Sequence, residues 1–278
     1  MESGVPPFVR KRLLEFVESD IAYGDVTTAI VPEDECVAEV FAQRDCVLAG
    51  IEECLFLCWH YSLKAEAPFS DGSRVKPGTI VMRINGSNQP ILQLERTLLN
   101  VLGRMSGVAT ACANAAEKAA GIRVAVTRKT FPGLNELDKK AAAIGGADPH
   151  RLNLSDMVLL KGNHLAFFGS VKEAVNAAKK KTSFSKKIEV ETTSAKEAVE
   201  AAEAKADIIM LDNFSAEDAK KGIEGIRKKG NSIIELSGGI SLENIEKYAA
   251  LKPDVISLGA ITKNAEWIDF SLKIKTVK

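Results

Sequence analysis

The chain has 278 residues, and its 37 lysines and arginines balance 37 aspartates and glutamates, so the formal net charge is zero. Hydrophobic residues make up 46% and charged residues 27%, a composition that fits a folded chain of one large domain, or one large and one small, and excludes disorder. Neutrality gives no whole-protein attraction to nucleic acid or acidic membrane, which leaves a local basic pocket open as a possibility. The longest apolar runs, such as residues 54–59, fall far short of the ~20 residues of a membrane helix. Residues 1–4 lead into a charged helical pattern and not a signal peptide. A soluble, cytoplasmic protein with no membrane or nucleic-acid partner is therefore expected. Five cysteines (Cys36, Cys46, Cys54, Cys58 and Cys112) without a C-x-x-C pair argue against disulfides and zinc. Cys54 and Cys58, four apart in an apolar run, read as one buried helix face.

From the N-terminus, Val5–Val17 reads as a helix and Val37–Gln43 as a strand. Thr79–Ile84 is a second strand, introduced by Lys76-Pro77-Gly78 and closed by Asn85-Gly86. Gln89–Ala120 is a long helical stretch with an interruption expected around Ser106-Gly107. Residues 1–110 thus read as a small α/β domain of mixed topology with a connecting helix.

A different rhythm follows in residues 111–278. Short apolar, β-branched runs recur at Ile122–Val126, Met157–Leu160, Ile188–Val190, Asp207–Leu211, Ser232–Leu236 and Asp254–Leu258. Helical segments alternate with them: Leu134–Ala143, Val171–Lys180, Ala195–Ala204, Ala216–Lys229 and Leu242–Ala250. Ser170 with Glu173 and Ser194 with Glu197 form S-x-x-E capping boxes, and Ser215 and Ser241 are suited to N-caps. Repeated strand–helix–strand units imply right-handed crossovers and a parallel sheet. Charged or small residues follow six successive strands, as at the mouth of a barrel, and no G-x-G-x-x-G turn marks an open dinucleotide-binding sheet. The fold class expected is α/β: an incomplete parallel α/β barrel preceded by a small α+β domain.

Those strand ends carry the candidate chemistry. Arg128, Lys129, Arg151 and Lys161, with His150, gather positive charge that suits a polyanion; Glu191 and Asp212 suit hydroxyls or a phosphate-borne Mg²⁺. Ser237-Gly238-Gly239, ahead of a helix capped by Ser241, reads as a phosphate nest, and Gly259 ends the next strand. Each feature also has an ordinary explanation. A lone strand-end lysine is usually a solvated charge, Asp212-Asn213 could be a helix-entry turn, and His164 could be structural. Arg128 and Lys129 are adjacent, so on an extended strand only one would face the centre. Glu189 and Glu191 are two apart and share a face, and carboxylates within a buried strand call for a purpose.

Taken together, Thr127-Arg128-Lys129-Thr130-Phe131-Pro132-Gly133, Gly145-Gly146-Ala147-Asp148-Pro149-His150-Arg151 and Lys161-Gly162-Asn163-His164 match a phosphoribosyltransferase signature. So do Ile188-Glu189-Val190-Glu191, Met210-Leu211-Asp212-Asn213, Ser237-Gly238-Gly239 and Ser257-Leu258-Gly259, in the same order. Tyr23-Gly24-Asp25-Val26-Thr27-Thr28 and Glu95-Arg96-Thr97-Leu98-Leu99-Asn100 agree in the N-terminal part. Over essentially its whole length the chain resembles the quinolinate phosphoribosyltransferase family. The resemblance implies conversion of quinolinate and phosphoribosyl pyrophosphate to nicotinate mononucleotide, pyrophosphate and CO₂, with Mg²⁺ carried mainly on the phosphoribosyl pyrophosphate, in NAD synthesis. It also implies a homodimer or larger homo-oligomer in which Arg96 enters the partner's site. By the same resemblance, Arg128, Lys129, His150, Arg151 and Lys161 would hold the pyridine carboxylates and pyrophosphate, with Thr127 beside them. Glu191 and Asp212 would face the ribose hydroxyls and Mg²⁺, while Ser237, Gly238, Gly239, Leu258, Gly259 and Ala260 would surround the 5′-phosphate. Lys129, Lys161, Glu191 and Asp212 are the catalytic candidates, the lysines as charge stabilisers and not nucleophiles.

Three departures from the family's pattern stand out: Gly162 where an aspartate is usual, Ala147 where a third glycine is usual, and Ile261-Thr262-Lys263-Asn264 for Leu-Thr-His-Ser. They leave room for a relative acting on another ring acid, or a non-catalytic phosphosugar-binding protein. A Schiff-base aldolase using Lys129 or Lys161 is a further rival, but it gives the arginine pair and Ser-Gly-Gly no purpose.

Overall fold

A computed structural model of the chain describes residues 4–276. Two compact units are present. One comprises the residues up to Ala113 together with Phe131–Gly145 and the segment from Ala265; the other comprises Asn114–Thr130 and Gly146–Asn264. The 110/111 position falls inside a continuous helix, and two later segments group with the N-terminal unit.

In chain order the elements begin with α1 (Pro7–Ile21), a 3-10 turn (Thr28–Ile30), β1 (Glu35–Ala42), β2 (Cys46–Val47) and α2 (Ile51–His60). There follow β3 (Lys64–Glu66), β4 (Arg74–Val75), β5 (Ile80–Ser87), α3 (Asn88–Lys118), β6 (Arg123–Val126), α4 (Asn135–Ile144), β7 (Val158–Leu160) and α5 (Gly162–Leu165). The remainder are α6 (Val171–Lys181), β8 (Ile188–Thr192), α7 (Ala195–Glu203), β9 (Ile208–Asp212), α8 (Ala216–Arg227), β10 (Ile233–Ser237), α9 (Ile245–Ala249), β11 (Val255–Leu258), α10 (Ala260–Lys263) and β12 (Phe270–Thr276).

The first unit holds an antiparallel sheet in the order β12-β1-β5-β3. Helix α1 starts at Pro7, where a proline's fixed φ suits the first turn. Cys54 and Cys58 do lie on the buried face of α2. Helix α3 runs without the interruption expected at Ser106-Gly107. These small residues mark close approach, not a break. Ser106 Oγ accepts from Ala49 N and donates to Ala49 O, and a Cβ on Gly107 would lie 2.1 Å from Glu266 O. Arg104 of α3 forks onto Asp138 of α4 through two 2.8 Å bonds, both side chains being buried. That bidentate geometry is what a buried ion pair requires to offset its desolvation.

The second unit is a six-stranded parallel sheet in the order β6-β11-β10-β9-β8-β7. Every strand lies within two residues of its expected position, and α6, α7, α8 and α9 connect consecutive strands. The sheet is an incomplete α/β barrel, extended past β6 by a single parallel bridge between Ala125 and Asp148. Ser170, Ser194 and Ser215 cap their helices, accepting from Glu173 N, Glu197 N and Asp218 N. The two capping-box glutamates reach one residue further back than expected, to Gly169 N and Thr193 N. Ser241 is not an N-cap. Helix α9 begins only at Ile245, because Asn244 closes the preceding turn by accepting from Ser241 N and donating to Gly239 O.

Candidate active site

Side chains alternate across a strand, so residues two apart share the barrel's inner face. Glu191, Asp212, Ser237 and Ser257 are on that face in four neighbouring strands, and the loops after the strands complete a cavity of about 480 Å³. It is lined by Thr127, Arg128, Lys129, His150, Arg151, Lys161, Glu191, Asp212, Ser237, Gly238 and Gly239, eleven of the residues singled out in the sequence. Both Arg128 and Lys129 line it. They lie beyond the end of β6, where Thr127 Oγ1 accepts from Lys129 N, so strand alternation no longer separates them.

Lys161 donates to Glu191 Oε2 at 2.5 Å. Asp212 accepts from the Asn213 side chain at 2.6 Å. Burial pushes the Asp212 carboxyl above its ordinary range, with Glu191 adding to the rise, while Asn213, Lys161 and Lys129 pull against it. Arg151 is shifted down by burial and by Arg128, with Glu189 and Asp156 opposing. Both arginines line the one cavity, where an anion would offset their mutual repulsion.

The glycine turn is built for close approach. Gly238 and Gly239 have φ of +77° and +64°, and a Cβ on Gly238 would lie 2.5 Å from the Asn213 side chain and 2.6 Å from its backbone nitrogen. Asn213 N in turn donates to Ser237 O at 2.9 Å. The Asp212-Asn213 and Ser237-Gly238 turns therefore interlock. The helix expected to support this nest has only five residues and starts at Ile245, so backbone N–H groups of the turn, not a helix terminus, are what an anion would meet. Gly259 lies against Lys129, since a Cβ there would be 2.9 Å from Lys129 Cδ and 3.3 Å from Thr127 Oγ1. Thr262 Oγ1 fastens the same loop by donating to Lys129 O.

Four expected site residues are not among those that line this cavity. The Leu258 side chain is fully buried, so only its backbone is available to a ligand. Gly259 and Ala260, half-buried at the start of α10, are not part of the cavity wall. Arg96 belongs to the first unit, exposed on α3, where it lines a separate cavity of about 350 Å³ with Phe16, Asp20, Asn100 and Trp267. His164 is structural: its Nδ1 accepts from Lys161 N and holds the first turn of α5. Gly162 opens that turn, and a Cβ there would meet nothing within 4 Å, so the missing aspartate removes a charge without altering packing.

Sequence reasoning placed Glu189 on the face of Glu191 without giving it a role, and passed over Glu235, which lines the cavity. Both are buried on the inner face, and both face His150 Nε2, at 3.3 and 3.2 Å. A glutamate inside an apolar strand was their signal, visible in Ile188-Glu189-Val190 and Ile234-Glu235-Leu236. Burial works against a charged imidazole, but Glu189 and Glu235 outweigh it and push His150 up to about 10. Glu189 is itself raised, first by burial.

Residues 25–106 match the N-terminal domain, and residues 108–273 the C-terminal domain, of the quinolinate phosphoribosyl transferase family. A protein of Methanothermobacter thermautotrophicus named probable nicotinate-nucleotide pyrophosphorylase [carboxylating] is 39% identical over 95% of this chain and 98% of its own length. Its namesake in Archaeoglobus fulgidus is 43% identical over 91% and 98%. The crystal structure of NadC from Streptococcus pyogenes covers all of both chains with a TM-score of 0.92 at 36% identity. On these grounds the chain belongs to the quinolinate phosphoribosyl transferase family.

Proposed function

We propose that this chain transfers the phosphoribosyl group of phosphoribosyl pyrophosphate to the ring nitrogen of quinolinate, with decarboxylation, giving nicotinate mononucleotide, pyrophosphate and CO₂ in NAD synthesis. The observation that carries the reading is the convergence of Arg128, Lys129, Arg151 and Lys161 with Glu191, Asp212 and the Ser237-Gly238-Gly239 turn on one cavity of about 480 Å³. A dicarboxylate and a pyrophosphate ester are both polyanions, and guanidinium groups fit carboxylates two bonds at a time.

Each group has a task in this chemistry. Arg128 and Arg151 orient the two ring carboxylates, with His150 closing the inner end. Displacement at C1 of the ribose builds positive charge on the sugar and negative charge on the leaving pyrophosphate. Glu191, held by Lys161, would stabilise the first, and Lys129 the second. The Ser237-Gly238-Gly239 turn receives the 5′-phosphate, aided by the backbone at Leu258, Gly259 and Ala260.

Magnesium fits the donor set. Asp212 offers a carboxylate oxygen not taken by a lysine, and Mg²⁺ binds through one or two carboxylates with water and substrate phosphates supplying the rest. Asp212 would hold it, and the ion would neutralise charge on the leaving pyrophosphate. In solution we place the chain as a homodimer, Arg96 completing the partner's site from its exposed position on α3, in the cytoplasm, a setting that suits five free buried cysteines.

The test is a purified-protein assay with quinolinate, phosphoribosyl pyrophosphate and Mg²⁺. Nicotinate mononucleotide is expected as product, lost in Lys129→Ala. A folded protein that binds both substrates without turnover would overturn the proposal.

A further inference from the structure

A barrel interior is ordinarily filled with branched apolar side chains. Here the middle of the inner face carries Glu189, Glu235 and Ser257, each 2% exposed or less. Among the described residues, Glu189 Oε1, Glu235 Oε1 and Ser257 Oγ have no hydrogen-bond partner, and Glu189 Oε2 has only the ion pair to His150 Nε2 at 3.3 Å. Unsatisfied buried polar atoms are expensive, and a group of them on one face needs a use.

The geometry discriminates between a cation and a proton. His150 Nε2 and the two carboxylates lie within 4.8 Å of one another, close enough to hold a metal ion. But His150 Nδ1 accepts the Arg151 N–H at 2.8 Å. The neutral ring with Nδ1 as acceptor carries its hydrogen on Nε2, and the charged ring carries one on each nitrogen, so in either state the atom a metal would need holds a proton. The cluster is therefore arranged to hold protons. His150, Arg151 and Glu235 also form a partition. They line the substrate cavity and, equally, a second cavity of about 840 Å³ bounded by Arg123, Ile208, Ile233 and Val255 at the opposite ends of the strands.

We infer that the His150–Glu189–Glu235 cluster supplies the proton that replaces the departing carboxylate of quinolinate, and is refilled from solvent through the second cavity. The inference rests on the function proposed above. Loss of CO₂ breaks the bond between ring C2 and its carboxyl carbon and leaves the electron pair on C2, beside the pyridinium nitrogen. Until C2 is protonated the carbanion can recapture CO₂, so the proton commits the step: one proton from the cluster forms the new C2–H bond and frees the CO₂ to leave, and one proton from water restores the cluster. No electron acceptor is involved. The charged groups around the cluster are Arg151, with Arg128 and Asp156 beside it, and Asp148 in the loop before His150. The two glutamates push His150 upward against its burial, and burial raises Glu189, the direction in which each group holds a proton more tightly.

The experiment compares Glu235→Gln and Glu189→Gln with the unaltered protein, by steady-state pH profiles and by single turnovers that follow pyrophosphate and CO₂ separately. Glutamine keeps shape and hydrogen bonding but lowers the cluster's hold on a proton. Expected are a kcat about 10- to 100-fold lower, KM for both substrates changed little, and an alkaline limb of kcat moved to lower pH. Pyrophosphate should appear at the normal rate while CO₂ lags. Glutamine variants with an unchanged alkaline limb and no CO₂ lag would overturn the inference. So would a pure KM effect, which indicates substrate positioning alone. If a glutamine variant fails to fold, Glu235→Asp, which keeps the proton site, should retain the lag-free turnover that only a proton role requires; a lag in that folded variant would count against it. Activity absent from the unaltered protein would instead refute the proposed function.

Discussion

Replacing Gly238 by alanine tests how the phosphate turn is built. At φ +77° an alanine sits in the left-handed region, which costs roughly 1–2 kcal/mol. Its Cβ would also lie 2.5 Å from the Asn213 side chain and 2.6 Å from the Asn213 backbone nitrogen. Backbone cannot swing aside as a flexible side-chain tip can, so overpacking adds roughly 1–3 kcal/mol. Together these come to about 2–5 kcal/mol, or a melting temperature lower by on the order of 5–20 °C. Because Asn213 follows Asp212, the displacement should also raise KM for phosphoribosyl pyrophosphate more than KM for quinolinate. Gly239→Ala is the control. It carries similar backbone strain at φ +64°, but its Cβ would have only the Asn213 Oδ1 at 3.9 Å. Differential scanning fluorimetry and steady-state kinetics on both variants decide the matter. Equal melting temperatures and equal KM values for the two would refute the interlocked-turn argument.

Asp212→Asn should separate stability from activity. Its folded-state pKa is raised, so the native protein holds that proton more tightly than the unfolded chain, and the contribution is lost as pH rises through the folded value. At neutral pH without substrates the asparagine variant should melt no lower than the unaltered protein while losing turnover; a clear fall in melting temperature would contradict this. Gly107→Ala should destabilise the first unit by about 1–3 kcal/mol in urea titrations, since its Cβ would meet Glu266 O at 2.1 Å. If magnesium arrives with the substrate, as proposed, chelation by EDTA should abolish turnover yet leave the substrate-free melting temperature unchanged. Co-assembled Arg96→Ala and Lys129→Ala chains should recover about a quarter of normal activity, as mixed dimers of two-fold symmetry regain one complete site; no recovery would refute the exchange of Arg96.

The barrel was legible because its signals are local. Six apolar runs ended in charged or small residues, and Ser170, Ser194 and Ser215 capped the helices between them. Strands of two or three residues, β2, β3 and β4, are too short to show a period. Strand β12 alternates clearly, but nothing in it reveals that its partner is β1, more than 200 residues earlier in the chain. Ser241 misled because serine caps helices and turns alike, and the choice was made by Asn244. The same division holds at the site. Strand-end charges could be read one by one, whereas Glu189 and Glu235 acquire meaning only once β8 and β10 bring both against His150.

The most direct test of the central claim uses quinolinate labelled separately in its 2- and 3-carboxylates, in single turnovers with phosphoribosyl pyrophosphate and Mg²⁺. The expected result is quantitative release of the 2-carboxylate as CO₂, with the 3-carboxylate retained in the mononucleotide, one for one with pyrophosphate. Transfer to a ring acid without CO₂ release, or no pyrophosphate formed from quinolinate at all, would contradict the account.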